Sequence, residues 1–188
     1  TKTQGMAGIL RSEKPITLSD VDNLRRIPGV IAVLPVVGGT GRIEAGDNSR
    51  NTDIWGVGPK APEVWQLKVE RGRFLPEDDF ETARSYAVLG SKVKKELFGN
   101  TNPLGVYIRV GGHRFRIVGV MESKGQFLGF DLDDVVYVPA NRAMRLFNRD
   151  GVMEADVLYS KNVTSKAVSN QIVSYFTEAH NGDDVTIY

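Results

Sequence analysis

Between Arg71 and Phe147 the chain is so densely punctuated by glycine that only short, tightly turned elements can form there. It reads RGRFL, AVLG, LFG, PLG, a Val110-Gly111-Gly112-His113 turn, FRIVGVM, KGQFLGFDLDD and VYVP. Gly111-Gly112 is a two-residue hairpin signal between Val106–Val110 and Arg114–Val120. Ile108 and Val110 alternate with Tyr107 and Arg109, and Phe115 and Ile117 alternate with Arg114 and Arg116. One side of the hairpin is therefore apolar and the other basic. Two short helices are expected, at Ser91–Phe98 and Asn141–Phe147.

The flanks follow another grammar. Met6–Leu10 reads as a strand, and Thr17-Leu18-Ser19-Asp20 opens a helix with a hydroxyl cap and a carboxylate three residues on. Val21, Leu24 and Ile27 recur at helical spacing until Pro28-Gly29 ends the element. Val30–Val37 and Asn51–Gly58 read as strands, with Gly38-Gly39-Thr40-Gly41 between them as a bulge or bend. Near the other end, Met153–Tyr159 reads as a strand. Thr164–His180 reads as a helix with Val168, Ile172, Tyr175 and Phe176 on one face, and Val185–Tyr188 as a last strand after an Asn181-Gly182-Asp183 turn. Two strand-helix-strand units side by side give a ferredoxin-like α+β domain, helices on one face of an antiparallel or mixed sheet. The expected organisation is a discontinuous outer subdomain, residues 1–70 and 151–188, carrying an inserted β-rich subdomain over 71–150.

Composition narrows the function classes. With 41% hydrophobic and 25% charged residues the 188-residue chain can build a real core. Basic and acidic residues number 24 and 23, so nothing suggests nucleic acid as a partner. The longest apolar run, Val30–Val37, is far short of the ~20 residues that span a bilayer, and no signal peptide is visible. The absence of cysteine removes disulfides, thiolate metal sites and cysteine nucleophiles. The chain begins at Thr1 and stops inside an apparent strand, as a piece of something longer would. Both ends fall in the outer subdomain, which suits a domain strung between two membrane helices.

No motif carries catalysis. Gly38–Arg42 lacks the Gly-Lys-Ser/Thr ending of a phosphate loop and no helix pattern follows it. Glu77-Asp78-Asp79 is expected at a helix start, and Asp131, Asp133 and Asp134 as acceptors for Arg71 or Arg73, since neither run has calcium-loop spacing. His113 and His180 are too isolated for zinc, and His180 suits a helix C-terminus. The expectation is a chain with no catalytic residue, cofactor or metal. Recognition is expected instead at Lys124, Gly125, Gln126, Phe127, Leu128, Gly129 and Phe130, where glycines bracket three apolar residues. A loop tucked onto its own hairpin is an equal alternative. For Arg109, Arg114 and Arg116 a solvated strand face is favoured over a second contact surface.

RGRFL (71–75), AVLGSKVKKELFG (87–99), NPLGVYIRV (102–110), FRIVGVMESKG (115–125), GFDLDD (129–134) and VYVP (136–139) together closely resemble the extracytoplasmic core domain of MacB-like ABC transporter permeases. LSDVDNLRRIPGVIAVLPVV (18–37) is similar to the family's first helix and strand. The resemblance implies a porter-like outer subdomain, an inserted Sabre subdomain, and a place between the first two of four membrane helices. It implies a second permease protomer and an ATPase domain or subunit using ATP and magnesium, whose closure is passed outward by mechanotransmission. The implied location is the cell (inner) membrane, with this domain periplasmic or extracellular. In a Gram-negative cell the implied partner is a periplasmic adaptor, or membrane fusion protein. The alternatives are a lipoprotein-releasing permease and a free-standing extracytoplasmic binding protein.

Overall fold

The computed structural model describes residues 6–12, 14–127, 130–180 and 185–187. The chain opens with β1 (Met6–Ser12), α1 (Leu18–Asn23, continued as a 3-10 turn over Leu24–Arg26), β2 (Val30–Ala45) and β3 (Asn48–Val57). Then come α2 (Ala61–Val64), β4 (Val69–Gly72), β5 (Tyr86–Leu89), α3 (Ser91–Phe98), β6 (Tyr107–Val110) and β7 (His113–Met121). The small pair β8 (Gln126–Phe127) and β9 (Phe130–Asp131) leads to β10 (Val135–Pro139), α4 (Ala140–Leu146), β11 (Glu154–Tyr159), α5 (Ser165–His180) and β12 (Val185–Ile187).

The outer strands run in the order β12-β1-β11-β2, every neighbour antiparallel. That is last, first, third, second of two interleaved strand-helix-strand units, the ferredoxin-like arrangement expected. Thr17 and Asp20 form the reciprocal capping box at the start of α1. Leu18, Val21 and Leu24 from α1 and its 3-10 turn join Val168, Ile172 and Phe176 from α5 against Val33, Ala155, Val157 and Tyr159. Asn23 donates to the Tyr175 hydroxyl at 3.0 Å, which ties the two helices together over that core. Pro35 costs the sheet no bond on the β3 side, because that ladder begins one residue later at Val36↔Val57.

Beyond Val37 the same sheet curls. The order continues β2-β3-β10-β5-β7, and β6 pairs with both β7 and β2. Those six strands close a ring, with Ile43↔Val110 as one of the closing pairs. Closure removes two sheet edges. Its interior takes Ile43, Ile54, Leu89, Ile108, Val110, Phe115, Ile117, Val136 and Val138, all buried. Full burial of each such side chain contributes about 1.5–3 kcal/mol before entropy is counted. The turn between β6 and β7 is the one expected, with Gly111 and Gly112 at φ +56° and +83°, values that a two-residue hairpin of the primed type needs. The apolar residues of that hairpin face inward, and Tyr107, Arg109, Arg114 and Arg116 face out.

Three expectations are corrected. Gly38–Gly41 forms no bulge and interrupts no strand, because β2 runs unbroken for 16 residues and pairs regularly with β3 from Val36 to Ala45. The glycines make space instead. A Cβ on Gly39 would lie 2.5 Å from the Phe147 ring, and one on Gly41 would lie 2.7 Å from Ile54 Cδ1. The chain reverses at Gly46-Asp47. Glu77–Asp79 starts no helix; Asp78 is clasped by Arg84 at 2.8 and 3.0 Å, and Glu77 pairs with Lys60 at 2.9 Å. Asp134 pairs with Arg50 rather than with Arg71 or Arg73, because β10 lies beside β3. The His180 side chain lies outside the described residues.

Candidate partner-recognition site

A single carboxylate shapes the connection from β7 to β10. Asp133 accepts hydrogen bonds from the Ser123 hydroxyl at 2.8 Å and from the Lys124 and Gly125 amides at 2.6 and 3.0 Å. Burial alone would raise this carboxyl, but these donors, helped by the Ser91 side chain, outweigh it and hold it below the usual aspartate range. Gly125 adopts φ +80° and accepts a bond from the Leu132 amide at 3.0 Å, which closes the base of the β8–β9 hairpin. Lys92 braces the hairpin from α3 through Asp131 at 3.2 Å. Lys124 reaches across to the Gln66 carbonyl at 2.9 Å.

Within Lys124–Phe130, β8 and β9 pair antiparallel as a small separate ladder, with Gln126↔Asp131 and Phe127↔Phe130 as its paired positions. Leu128 and Gly129 lie outside the described residues, as do the side chains of Phe127 and Phe130. Lys124 and Gln126 sit on the rim of a groove of about 540 Å³, on the sheet face opposite α1 and α5.

Aromatic residues build that groove. Trp55 from β3 meets Trp65, just after α2, edge to face at 5.7 Å between ring centroids. Tyr137 from β10 supports the floor and stacks edgewise on Phe74 at 5.7 Å. Ile9, Leu67, Leu132 and Val135 complete the apolar lining. Trp65 donates its indole N–H to Asp156 at 2.7 Å, which fixes the ring over the sheet. Burial, helped by the Asp133 charge, pushes the Tyr137 hydroxyl up to about 12, so it stays neutral at physiological pH. An apolar, aromatic concavity of this size suits binding. The structure thus brings Lys124 and Gln126 to a groove whose other members were not singled out in the sequence. The signal available was the chain's two tryptophans, ten residues apart on either side of a Pro-Lys-Ala-Pro turn.

Among the described residues no group of three or more His, Asp or Glu side chains assembles as metal ligands, and no described helix is long and apolar enough to cross a membrane.

The comparisons with known proteins agree with this architecture. A family model described as the MacB-like periplasmic core domain matches residues 2–175. The Pyoverdine export ATP-binding/permease protein PvdT of Pseudomonas entomophila is 35% identical over 135 residues, covering 70% of this chain and 21% of that protein. The Macrolide export ATP-binding/permease protein MacB of Bdellovibrio bacteriovorus is 35% identical over 144 residues, 76% of this chain and 22% of that protein. The chain thus spans about a fifth of the length of these curated relatives. Among solved structures, the periplasmic region of MacB from Actinobacillus actinomycetemcomitans superposes with a TM-score of 0.82 at 22% identity, covering 100% of this chain and 90% of the other. The extracellular domain of the transporter YknZ from Gram-positive bacteria gives 0.79 at 17% identity, covering 97% and 100%. Those two likenesses bear on the fold, and the family match bears on kinship: the chain belongs to the MacB-like periplasmic core domain family.

Proposed function

We propose that this chain is the non-catalytic extracytoplasmic domain of an ABC exporter permease of the MacB type, coupling ATP-driven movement to export or to a protein outside the cytoplasmic membrane. The observation that carries the reading is the family match over 2–175, which runs from β1 into α5. In this reading the ATPase, with its ATP and magnesium, and a second permease protomer belong to the rest of the transporter. A periplasmic adaptor is the outside partner in a Gram-negative cell. The regions 1–70 with 151–188, and 71–150, act as porter-like and Sabre-like parts. The long β2–β3 hairpin fits that role, since it starts against β11 and ends in the closed ring. Movement of the outer unit would be carried into the ring by continuous strands.

The contact surface in this reading is the Lys124–Phe130 hairpin and the groove it borders. The deciding experiment compares wild-type and Phe127→Ala full-length permease in cells made drug-sensitive by deleting the gene. Resistance should fall by at least tenfold, while the isolated chain keeps its circular dichroism spectrum and melting temperature. Full resistance with Phe127→Ala, or an unfolded variant chain, would sink the contact role of the hairpin. Failure of the full-length wild-type protein to restore any export phenotype would sink the exporter reading itself.

A further inference from the structure

The outward side of the β6–β7 hairpin continues across a third strand. Tyr107, Arg116 and Tyr86 lie abreast on β6, β7 and β5, as the registers Tyr107↔Arg116 and Tyr86↔Arg116 place them. Arg114 lies over the Tyr107 ring with its guanidinium carbon 3.7 Å from the centroid, and Arg116 approaches the same ring at 5.9 Å. Arg73 and Arg84 approach the Tyr86 ring at 5.7 and 5.0 Å. Tyr107 is 50% exposed, with Val106 beside it also exposed.

Four arginines pair with carboxylates within the chain, Arg84 of this face among them. Arg50 holds Asp134, Arg84 holds Asp78, Arg25 holds Asp22 and Arg42 holds Glu44. Among the described residues no carboxylate comes within 4.0 Å of Arg73, Arg114 or Arg116. Glu44, opposite Arg109, is the carboxylate that borders this hairpin, and Arg42 occupies it. In a chain of net charge +1 these guanidiniums are a local excess. A solvated strand face has no need of arginines stacked on tyrosine. Stacking fixes the plane of a guanidinium and leaves its N–H edge free for two-point bonding to a carboxylate. Exposed tyrosine beside preordered arginine is also the composition of binding hot spots.

We propose that this face binds an acidic protein segment in extended conformation, one that presents carboxylates on alternate residues. The spacing argues for a protein strand. Arg114 and Arg116 are two residues apart on one strand, about 6.8 Å, which is also the separation of alternate side chains on an extended partner. Neighbouring strands add Tyr107 and Tyr86 at about 4.8 Å on each side, as flat platforms for the intervening residues. The inference stands apart from the exporter reading, because it is measured on this chain alone.

The test is a fluorescence-anisotropy titration of the chain with a labelled ten-residue peptide of alternating glutamate and threonine. A glutamine-for-glutamate peptide serves as the uncharged control. Saturable binding of the acidic peptide is expected, weakening with added salt, and at least tenfold weaker for an Arg114→Gln/Arg116→Gln double variant of unchanged melting temperature. A charge-matched Lys95→Gln/Arg149→Gln variant, altered on exposed helix and loop positions, should bind as the parent does. No saturable binding, equal binding by both double variants, or equal binding of the uncharged peptide would each overturn the proposal. So would displacement of the peptide by phosphatidylglycerol vesicles or inorganic phosphate at lower concentration than by unlabelled peptide, since the face would then be reading phosphate.

Discussion

Arg50 on β3 and Asp134 at the entrance to β10 meet through two parallel hydrogen bonds, Nε to Oδ1 at 2.9 Å and Nη2 to Oδ2 at 2.7 Å. Thr52, two residues along β3, places its hydroxyl 2.9 Å from the same carboxylate. This pair fastens the parallel β3–β10 ladder at the point where the chain returns from the candidate hairpin. The Arg50 and Asp134 side chains are only 26% and 20% exposed, so solvent screens the pair weakly.

Asp134→Asn should therefore destabilise the chain by about 2 kcal/mol, because it leaves a partly buried guanidinium without its counter-charge. Urea unfolding monitored by tryptophan fluorescence would measure it. Arg50→Ala should cost a similar amount, and the double variant should cost less than the sum of the two.

Acid should weaken the fold through the same region. The Arg50 hydrogen bond, reinforced by Thr52, holds the Asp134 carboxyl below its ordinary value, and the donors described above do the same for Asp133. A depressed carboxyl contributes stability in full above its unfolded value, and that contribution is lost as pH falls through the folded one. The loss should run from about pH 5 downward. Asp53, which burial and the Asp134 charge push up, works in the opposite sense. The net expectation is an unfolding free energy that falls between pH 5 and pH 2, with a shallower slope in Asp134→Asn. An unchanged slope in that variant would locate the acid sensitivity elsewhere.

Gly56→Val tests the seat of α4. A Cβ on Gly56 would land on the Ala143 methyl and within 3.2 Å of Ala140 Cα, so the helix lies directly on the strand. Forcing it away should cost about 2–3 kcal/mol, visible as a lower melting temperature. Gly38→Ala, where nothing lies within 4 Å of the new methyl, should change it little.

Trp65→Phe should keep the groove apolar but remove the 2.7 Å bond to Asp156. A loss of about 1–2 kcal/mol is expected, together with faster hydrogen exchange over Ala61–Leu67. Retention of full stability would mean that packing alone holds the ring.

Local chemistry made much of this legible in the sequence. The capping box at Thr17, the Gly111-Gly112 turn, the alternation along the β6–β7 hairpin and the helical faces of α1 and α5 depend on neighbours a few residues apart. The expectations that failed concerned partners distant in sequence. A Gly-Gly-Thr-Gly run breaks a strand by local rules, yet here it lies in an unbroken strand, and its missing side chains leave room for Phe147 and Ile54. Asp134 looked available to Arg71 and Arg73, until the parallel β3–β10 ladder delivered Arg50.

The sequence by itself determined the two strand-helix-strand units, the β-rich stretch between them and the family, since turn chemistry, hydrophobic period and motif order are written along one line. Only the tertiary structure decided that β6 would bridge β2 and β7 to close a ring. It also decided that Trp55, Trp65 and Tyr137 would share a groove with Lys124 and Gln126, and that Tyr107, Arg116 and Tyr86 would lie abreast. Each of those arrangements depends on register between strands tens of residues apart. Register is set by which side chains fill a common interior, and no local propensity encodes it.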